Sequence, residues 1–431
     1  MRPFVRNIKM IESDGTTETL KIRDNSLRDS LLFVRDFGAD PSLPDNSSFI
    51  NAAIRTAAEQ HKALVFDQGT YYIKSSIVIE LKQNEGVGTR DNKLVIYGND
   101  CVIAADHCYG MRICGDVNAS SEQWLNLTIN DMCIQNKGGY DYIGNDGVII
   151  GLPDRGRLRS EYGSITFNNV SVRHFNRAFH LQKCAEVTFN GCSADFCREE
   201  AICVDMYGVN PTVDDIIFND CTINGAAGLK THIHDMVSKG RVSGIHFNRC
   251  LFYLNTSAVV GKPSPAVIEQ YINFSMKDNV EVKDVWFSDC MFDFKKEGDV
   301  YLNRKDVFML SNSYLMNLPP DADHTNVVEV TPDYVGNFHI NNCYFMCCQR
   351  VLNAIWTDRV WFTDNVIYAN GNSEGGNEYG AIFSHNSSNL FITNNQIARY
   401  FEDSTPVRPS TITGGVGRIV DNNLGSAINV S

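Results

Sequence analysis

The chain has 431 residues, of which 43% are apolar, and its 51 acidic and 38 basic side chains give it a formal net charge of −13. This length and composition suffice for a large buried core, but the acidic balance lacks the positive field that attracts nucleic acid or anionic lipid. The sequence has no stretch of about 18 apolar residues, so we expect neither a nucleic-acid partner nor insertion into a membrane.

Residues 1–31 differ from the rest of the chain because they are polar and charged and carry no repeated pattern. They contain no apolar run of about 7 to 15 residues, which a secretory signal peptide requires. We therefore predict a linker or attachment segment ahead of the folded domain. We also expect a protein that is made in the cytoplasm and is not exported through a signal peptide.

The next segment, residues 32–100, contains a predicted helix at 45–58. Apolar residues share one face of this helix, namely Phe49, Ala53, Ile54 and Ala57. An amphipathic helix at this place can cover the apolar end of a stack of strands. We predict that residues 32–100 form the first turns of the fold together with this capping helix.

Residues 101–431 repeat a short phrase in which apolar residues alternate with others and are followed by Asn or Asp, as in "VTFNGC" at 187–192. The alternation has the period of two that is typical of a strand with one buried face. Asn and Gly then form a corner, because they tolerate a left-handed backbone. The shortest spacing between copies is 22 residues, which matches one coil of a β-solenoid. The last inward residues of the copies are Ile129, Phe167, Phe189, Phe218, Phe247, Phe287, Ile340, Phe362, Ile392 and Val420.

A cysteine follows the corner in five copies, at Cys192, Cys221, Cys250, Cys290 and Cys343. Coils stacked about 4.8 Å apart would place these thiols in one interior column. Their side chains would then run parallel, which is poor geometry for a disulfide, so we predict reduced core thiols. The last copies have asparagines there, whose amides can hydrogen-bond along the column: Asn365, Asn395 and Asn423. The predicted fold class is all-β, a parallel β-helix or β-solenoid with an N-terminal capping helix.

Three motifs follow one another near the N-terminus: Asp-Phe-Gly-Ala at 36–39, the predicted helix, and Asp-Gln-Gly-Thr-Tyr at 67–71. In this order they resemble the N-terminal part of the pectate-lyase-like, right-handed parallel β-helix superfamily, in which Pro-x-Gly-x-Tyr is usual at the third motif. The resemblance extends from residue 32 onward and implies a right-handed β-helix. This superfamily includes polysaccharide lyases, polygalacturonases and bacteriophage tailspike depolymerases, so the fold alone does not select the chemistry.

Within the superfamily the chain is most similar to a phage tailspike or appendage protein. That resemblance implies a location in the virion, a bacterial surface polysaccharide as partner, a homotrimer, and attachment of residues 1–31 to other tail proteins. We expect no cofactor and no metal. The trio His107, Cys108 and Cys114 has spacing that is unconvincing for a metal site, and we predict core packing for it.

Counting along the repeat places two pairs of side chains on adjacent rungs. Asp205 and His234 each lie 13 residues after the column cysteine of their own repeat. We therefore predict that they stack on the outer surface, and the same count pairs Cys203 with His232. A carboxylate beside an imidazole can transfer protons, because the negative charge raises the pKa of the ring.

Carboxylates one rung apart would be separated by about 5 Å and those two rungs apart by about 9.5 Å, which are the separations of retaining and inverting glycosidases. Glu-Glu-Ala-Ile at 199–202 and Gly-Leu-Lys-Thr at 228–231 resemble two elements of polygalacturonases, but the Asn-x-Asp and Gly-His-Gly elements of that family are missing, so its mechanism is not carried over. Lys230 is a candidate for substrate binding or for an oligomer interface. The alternative is that these side chains are solvated and charge-paired across rungs. The candidate catalytic residues are Glu199, Glu200, Asp205, His232 and His234.

A second outward column lies one residue before the last inward residue of each copy. Five successive copies place a ring there: His246, Trp286, His339, Trp361 and Phe391. A surface that contacts only water does not need a continuous column of exposed rings, so the column indicates a binding surface. It either stacks on sugar rings or packs against another copy of the chain in an oligomer.

The sequence therefore predicts a tailspike-like protein that binds and depolymerises capsule or O-antigen by glycoside hydrolysis, with insertions at 261–279 and 303–326 as loops around the glycan groove. Two alternatives stay open. One is a non-enzymatic virion rod that adheres to a host-cell receptor, since the repeat runs to about residue 424 and leaves no separate trimerisation domain. The other is a monomeric bacterial polysaccharide lyase, which would use a basic residue and often Ca²⁺.

Overall fold

The structure is a computed structural model. It describes residues 6–11, 17–22, 30–81, 93–115, 123–139, 145–151, 162–208, 211–236, 240–254, 270–276, 280–293, 306–312, 335–348, 350–369, 380–399, 407 and 409–431. In these ranges, no helix combines the length and the apolar character of a membrane span.

The described residues form a short 3₁₀ helix at Val34–Phe37, the α-helix α1 (Ser47–Glu59) and a long series of strands. In chain order the strands are β1 (Arg6–Ile11), β2 (Thr17–Ile22), β3 (Leu31–Phe33), β4 (Ala63–Val65), β5 (Thr70–Ile73), β6 (Ile77–Glu80), β7 (Leu94–Ala105), β8 (Met111–Cys114), β9 (Gln123–Asn136), β10 (Val148–Ile150), β11 (Tyr162–Arg173), β12 (Phe179–Leu181), β13 (Cys184–Asn190), β14 (Ser193–Gly208), β15 (Thr212–Asn219), β16 (Thr222–Met236), β17 (Gly240–Asn248), β18 (Leu251–Leu254), β19 (Gln270–Met276), β20 (Val280–Ser288), β21 (Met291–Asp293), β22 (Asp306–Asn312), β23 (Val335–Asn341), β24 (Tyr344–Cys348), β25 (Arg350–Ile355), β26 (Asp358–Thr363), β27 (Val366–Ala369), β28 (Ile382–His385), β29 (Ser388–Thr393), β30 (Gln396–Arg399), β31 (Ser410–Thr413), β32 (Ile419–Asp421), β33 (Leu424–Gly425) and β34 (Ile428–Val430).

β1 and β2 form an antiparallel hairpin, and the other strands pair in parallel with the coils before and after them along three faces. Face A contains β3, β4, β13, β15, β17, β20, β23, β26, β29 and β32, and face B contains β5, β18, β21, β24, β27, β30 and β33. Face C contains β6, β8, β10, β12, β19, β22, β25, β28, β31 and β34. β7, β9 and β11 bend from face A to face B, and β14 and β16 bend from face B to face C. The chain thus forms the predicted right-handed parallel β-helix.

The repeated phrase builds face A and the corner after it. Phe189 pairs in register with Phe167 on one side and Phe218 on the other, and the ring centroids of these stacked pairs are 4.9 and 4.5 Å apart. The residue before each column position has a left-handed backbone, with φ of 59° at Gly191 and 54° at Asp220. The corner therefore turns the chain while both flanking strands keep their apolar side chains inside.

The interior column is confirmed. Its five cysteines are free thiols with at most 2% exposure, and each donates to a backbone carbonyl, as Cys343 Sγ does to Phe287 at 3.4 Å. Asparagines continue the column toward the C-terminus. Asn395 donates through Nδ2 to Asn423 Oδ1 at 2.9 Å and accepts at Oδ1 from Asn365 Nδ2 at 3.0 Å.

We expect replacement of Asn395 by alanine to lower the free energy of unfolding by about 2 kcal/mol, because it leaves buried donors and acceptors without partners. The Asn395 amide also donates to the Phe362 carbonyl at 2.9 Å. Asn395→Cys is the matched control, since a thiol can still donate to that carbonyl as the column cysteines do, and its loss should be about half as large. Chemical denaturation measures both; equal losses for the two variants would contradict this account of the column.

The helix α1 covers the first coil, as predicted. Its buried side chains include Ile50, Ala53, Ile54 and Ala57, while Phe49, placed on the same face by the sequence, is half-buried. The amide of Asn51 donates to the Ser76 carbonyl at 3.1 Å and accepts from the Val78 N–H at 2.7 Å. These bonds fix the helix to the start of face C.

The prediction that the two insertions form loops is wrong in part. Residues 270–276 and 306–312 are strands of face C, where β19 pairs with β22 and β22 with β25. Phe274 and Phe308 are buried in the core. Each segment alternates apolar residues like any other strand, but neither carries the corner phrase by which the coils were counted. The rest of both insertions lies outside the described residues.

Candidate active site

A cluster of charged side chains lies on the outer side of face C, where β10, β12, β14 and β16 stack. The register places His180 beside Cys203 and Cys203 beside Lys230. Ile202 and Val204 belong to the core, so the alternation of the strand turns these three residues outward. Cys203 is nevertheless only 1% exposed, and the outer face is therefore covered at this place.

The predicted pairing of Asp205 with His234, and of Cys203 with His232, is wrong. In the structure Asp205 pairs with His232 and Cys203 pairs with Lys230. The backbone of His234 belongs to β16, but its side chain lies outside the described residues. The acid and imidazole that the sequence assigned to each other are thus two positions apart along the strands.

Bulges in β14 cause this difference. Residues 194–200 of β14 stand opposite residues 223–227 of β16, so β14 contains two more residues over the same length. Equal counts from the column cysteines therefore reach different positions on the two rungs. Asp205 is also only 1% exposed, so its predicted place on the outer surface is wrong as well, because the outer side of this strand is covered.

His180 is the buried centre of the cluster. Its Nδ1 lies 2.7 Å from Asp146 Oδ2, and its Nε2 lies 3.0 Å from Asp205 Oδ2. Burial opposes protonation of the ring, but the hydrogen bonds to Asp146 and Asp205 outweigh it and raise the pKa of His180 to about 12. The ring is therefore an imidazolium held between two carboxylates on neighbouring rungs, and Asp205 is engaged in this bridge.

Arg177 contacts three carboxylates of the cluster, including Asp146. Its Nε lies 2.7 Å from Glu200 Oε1, its Nη2 lies 3.0 Å from Glu199 Oε2, and its Nη1 lies 3.7 Å from Asp146 Oδ1. Burial favours the neutral form of Glu200, but His232 and Arg177 outweigh this effect and lower the pKa of Glu200 to about 2. Glu200 is thus a fixed carboxylate at neutral pH.

The accessible edge of the cluster is formed by His232 and Glu199. His232 Nε2 lies 2.6 Å from Glu200 Oε1, and its side chain is 25% exposed, whereas that of Glu200 is 6% exposed. The side chain of Glu199 is 41% exposed, and Lys230 is exposed beside them. This edge offers an imidazole oriented by a buried carboxylate, next to a second carboxylate that solvent reaches, which is a chemically competent acid–base arrangement.

The structure brings together four of the five predicted catalytic residues: Glu199, Glu200, Asp205 and His232. It adds three residues that the sequence analysis missed: Asp146, Arg177 and His180. His180 carried a signal, since it stands between the inward residues Phe179 and Leu181 in a short strand. Asp146 and Arg177 precede their strands, where no alternation marks the direction of a side chain.

A possible metal-binding trio also lies in this cluster. In the part of the chain that the structure describes, Glu200, Cys203 and His232 each place a ligand atom within 4.8 Å of the others. The trio considered from the sequence behaves differently: Cys114 is buried as predicted, but the side chain of His107 is 74% exposed, so core packing is wrong for His107.

The predicted aromatic column is present on face A, where the strand register aligns its members. Neighbouring ring centroids are 5.8, 3.6, 4.3 and 5.2 Å apart, and the ring planes lie within 12° of parallel. Burial lowers the pKa of His246 and His339, which favours neutral rings at neutral pH. We call this set the aromatic ladder: His246, Trp286, His339, Trp361 and Phe391.

The ladder presents ring edges, not ring faces, to its surroundings. Trp286, His339 and Trp361 each have a ring stacked on both sides. Stacking on a sugar would use the electron-rich face of a ring, and these faces are already covered. The geometry therefore favours packing against an apolar partner over a sugar platform. Lys230, the remaining candidate for substrate binding or an oligomer interface, lies on face C.

No protein-family profile matches the sequence, and a search of curated proteins found no match. Among solved structures, PfbA, a surface adhesin of Streptococcus pneumoniae, aligns with a TM-score of 0.57 at 13% identity over 93% of this chain and 92% of that chain. A mutant tailspike protein of E. coli bacteriophage HK620 in complex with pentasaccharide aligns with a TM-score of 0.47 at 13% identity, over 98% of this chain and 70% of that chain. The catalytic unit of an alpha-1,3-glucanase from Streptomyces thermodiastaticus gives 0.42 at 11% identity, over 91% and 64%. The first likeness shows a shared fold.

Proposed function

We propose that this chain binds a bacterial surface polysaccharide and hydrolyses it at the outer edge of face C. The observation that carries the proposal is the short contact of 2.6 Å between His232 Nε2 and the buried Glu200 carboxylate, with the exposed Glu199 on the same guanidinium. Glycoside cleavage requires one group that donates a proton and one that accepts a proton, and this solvent-accessible edge provides an imidazole and a carboxylate.

We propose a role in the reaction for each group. His232 is held by Glu200 through Nε2, so the proton it gives to the leaving glycosidic oxygen is the one on Nδ1. Glu199 accepts a proton from the water that forms the new bond to the anomeric carbon. Arg177 keeps both carboxylates in place, and Asp205 is a positioning residue that acts through His180. The bond from the anomeric carbon to the leaving oxygen breaks as the bond to water forms.

The products distinguish this reaction from the lyase alternative. Hydrolysis releases reducing ends without new ultraviolet absorbance, whereas β-elimination adds an absorbing unsaturated sugar. We expect reducing ends alone from a capsular or O-antigen polysaccharide that the protein binds. Release of the absorbing product would replace the hydrolase by the lyase.

The origin and attachment of the protein are part of the same proposal. We place the chain in a phage tail or appendage, with residues 1–31 in contact with other virion proteins. The supporting observations are the motifs at 36–39 and 67–71 and the separate antiparallel hairpin of β1 and β2, which does not continue the β-helix.

We further propose a homotrimer that packs through the aromatic ladder. The ladder is an apolar stripe on the outside of five successive coils with neutral rings and outward edges. Aromatic residues of this kind are enriched in the desolvated centre of protein interfaces. Each further copy of the chain carries an apolar stripe of the same length, so a second copy can cover this one.

Replacement of Trp361 by glutamate should therefore weaken trimer formation at least about 30-fold, because it places a charge in a desolvated interface. Thr188→Glu is the matched control, since Thr188 occupies the same column before the ladder begins. Sedimentation equilibrium measures both variants against the unmodified protein. A monomeric unmodified protein, or equal behaviour of the two variants, would contradict the interface.

A non-enzymatic adhesive rod is the second candidate. It is favoured by the saturation of the cluster: Asp205 is buried against His180, and Glu200 is held by both Arg177 and His232. A saturated network of this kind can have a purely structural role, in which it links adjacent coils of the β-helix. The fold is also shared with a protein described as a surface adhesin. Tight binding of a polysaccharide without any cleavage would support this candidate.

A further inference from the structure

We propose that Glu200, Cys203 and His232 form a binding site for a zinc-like transition-metal ion at the edge of face C. The three side chains supply a carboxylate oxygen, a thiol sulfur and an imidazole nitrogen, all within 4.8 Å of one another. Oxygen, sulfur and nitrogen donors in a group of three are typical of sites that leave a fourth position open to water. Nothing in the repeat itself requires these residue types here.

The distances allow the site to close by side-chain movement. Ligand atoms around a tetrahedral zinc ion with bonds of about 2.0 to 2.3 Å stand about 3.5 Å apart. Closing the wider separations from 4.8 Å or less and opening the 2.6 Å contact between His232 Nε2 and Glu200 Oε1 each need shifts of about 1 Å, which side-chain rotations supply. Glu200 and Cys203 lie on β14 and His232 lies on the adjacent rung of β16, so the backbone already fixes all three.

The residues around the trio suit the bound state. The strand register places His180 directly beside Cys203, so this ring borders the thiolate that would bind a metal. Arg177 Nε holds Glu200 Oε1 at 2.7 Å, which orients that carboxylate. Cys203 and Glu200 are buried, while the half-buried His232 borders solvent and provides the side from which an ion enters.

The charge balance also favours a cation. Cys203 would bind as the thiolate and release its proton to solvent. A divalent ion therefore adds one net positive charge to a cluster whose four carboxylates outnumber its one guanidinium and one imidazole, whether or not that ring is protonated. The carboxylates are Asp146, Glu199, Glu200 and Asp205, and the other two groups are Arg177 and His180.

Metal binding would have a consequence for catalysis that rests on the proposed function. The ion would engage both the imidazole of His232 and the carboxylate that orients it, so His232 could no longer transfer a proton. Zinc is thus expected to act as a reversible inhibitor of hydrolysis at this site. The binding itself does not depend on that activity.

Titration of the full chain with Co²⁺ under reducing conditions tests the site, because cobalt bound to a thiolate gives a charge-transfer band in the near ultraviolet. We expect this band at a stoichiometry of one ion per chain and its displacement by Zn²⁺. Cys203→Ser should abolish it. Cys192→Ser, which removes a column thiol on the inside of the coil, should leave it unchanged, and His232→Asn should weaken binding at least about tenfold.

No band at millimolar Co²⁺, or a band that persists in Cys203→Ser, would overturn the site. Circular dichroism and the denaturation midpoint of Cys203→Ser check that the variant is folded. The test of the metal site and the test of the proposed function can fail independently. A cobalt band in a protein that cleaves none of the glycans it binds would support the metal site and contradict the proposed hydrolase activity. If the protein is active, inhibition by Zn²⁺ that Cys203→Ser escapes supports the site further.

Discussion

Replacing His232 by asparagine is expected to lower the rate of polysaccharide hydrolysis at least about a hundredfold, since a general acid contributes a factor of about 10² to 10⁴. Asparagine keeps a polar group near Glu200 but cannot donate a proton to the leaving oxygen. The fold should be retained, because the His232 side chain is 25% exposed at the edge of the cluster. Initial rates of reducing-end release measure the effect.

Glu200→Gln should cause a loss of similar size. It removes the charge that orients His232, while the amide fills the same volume. His107→Asn is the matched control, since it makes the same chemical change at a histidine whose side chain is 74% exposed outside the cluster. Unchanged rates in both His232→Asn and Glu200→Gln, or an equal loss in the control, would remove this site.

The largest effect on stability is expected from Asp205→Asn, which should lower the free energy of unfolding by about 3 to 5 kcal/mol. The substitution takes one carboxylate from a buried imidazolium and leaves Asp146 as the carboxylate bonded to His180. Removing one partner of a buried ion pair leaves the other charge uncompensated. The sequence predicts a catalytic role for Asp205 on the outer surface, and its exposure of only 1% leads us to expect a structural effect as well.

Chemical denaturation followed by circular dichroism measures this loss. Asp215→Asn is the control, because the side chain of Asp215 is largely exposed. Partial desolvation and the neighbouring Asp214 raise the pKa of Asp215, so its surroundings on balance disfavour the charge that the substitution removes. We expect the control to stay within about 0.5 kcal/mol of the unmodified protein. A similarly small effect for Asp205→Asn would show that the bridge through His180 does not hold the rungs together.

Faces A and B were predictable because each coil repeats the same phrase there. Phe189 and its neighbours mark an inward position, and Gly191 or its equivalent marks the corner, so a single alignment set the register of many strands. The asparagine column and the aromatic ladder followed from that register. A further ladder of amides on the outer side of the corner was missed, although Asn190 and Asn219 are joined at 2.9 Å.

Face C was less predictable because it carries no phrase of its own. The bulges at 194–200 change the count from corner to site by two residues, and no residue type in this stretch signals them. That error assigned Asp205 to the wrong histidine and placed it in solvent. The burial of the cluster also depends on what covers the outer side of β14, which alternation along one strand does not reveal.

The most direct test of the proposed function is to incubate the purified protein with a panel of bacterial capsular and O-antigen polysaccharides, and to measure binding and reducing-end release together. We expect that a glycan that binds is also cleaved, and that His232→Asn still binds it but releases reducing ends at least about a hundredfold more slowly. A glycan that binds tightly and yields no reducing ends with the unmodified protein would exclude hydrolysis of that glycan and leave an adhesive rod.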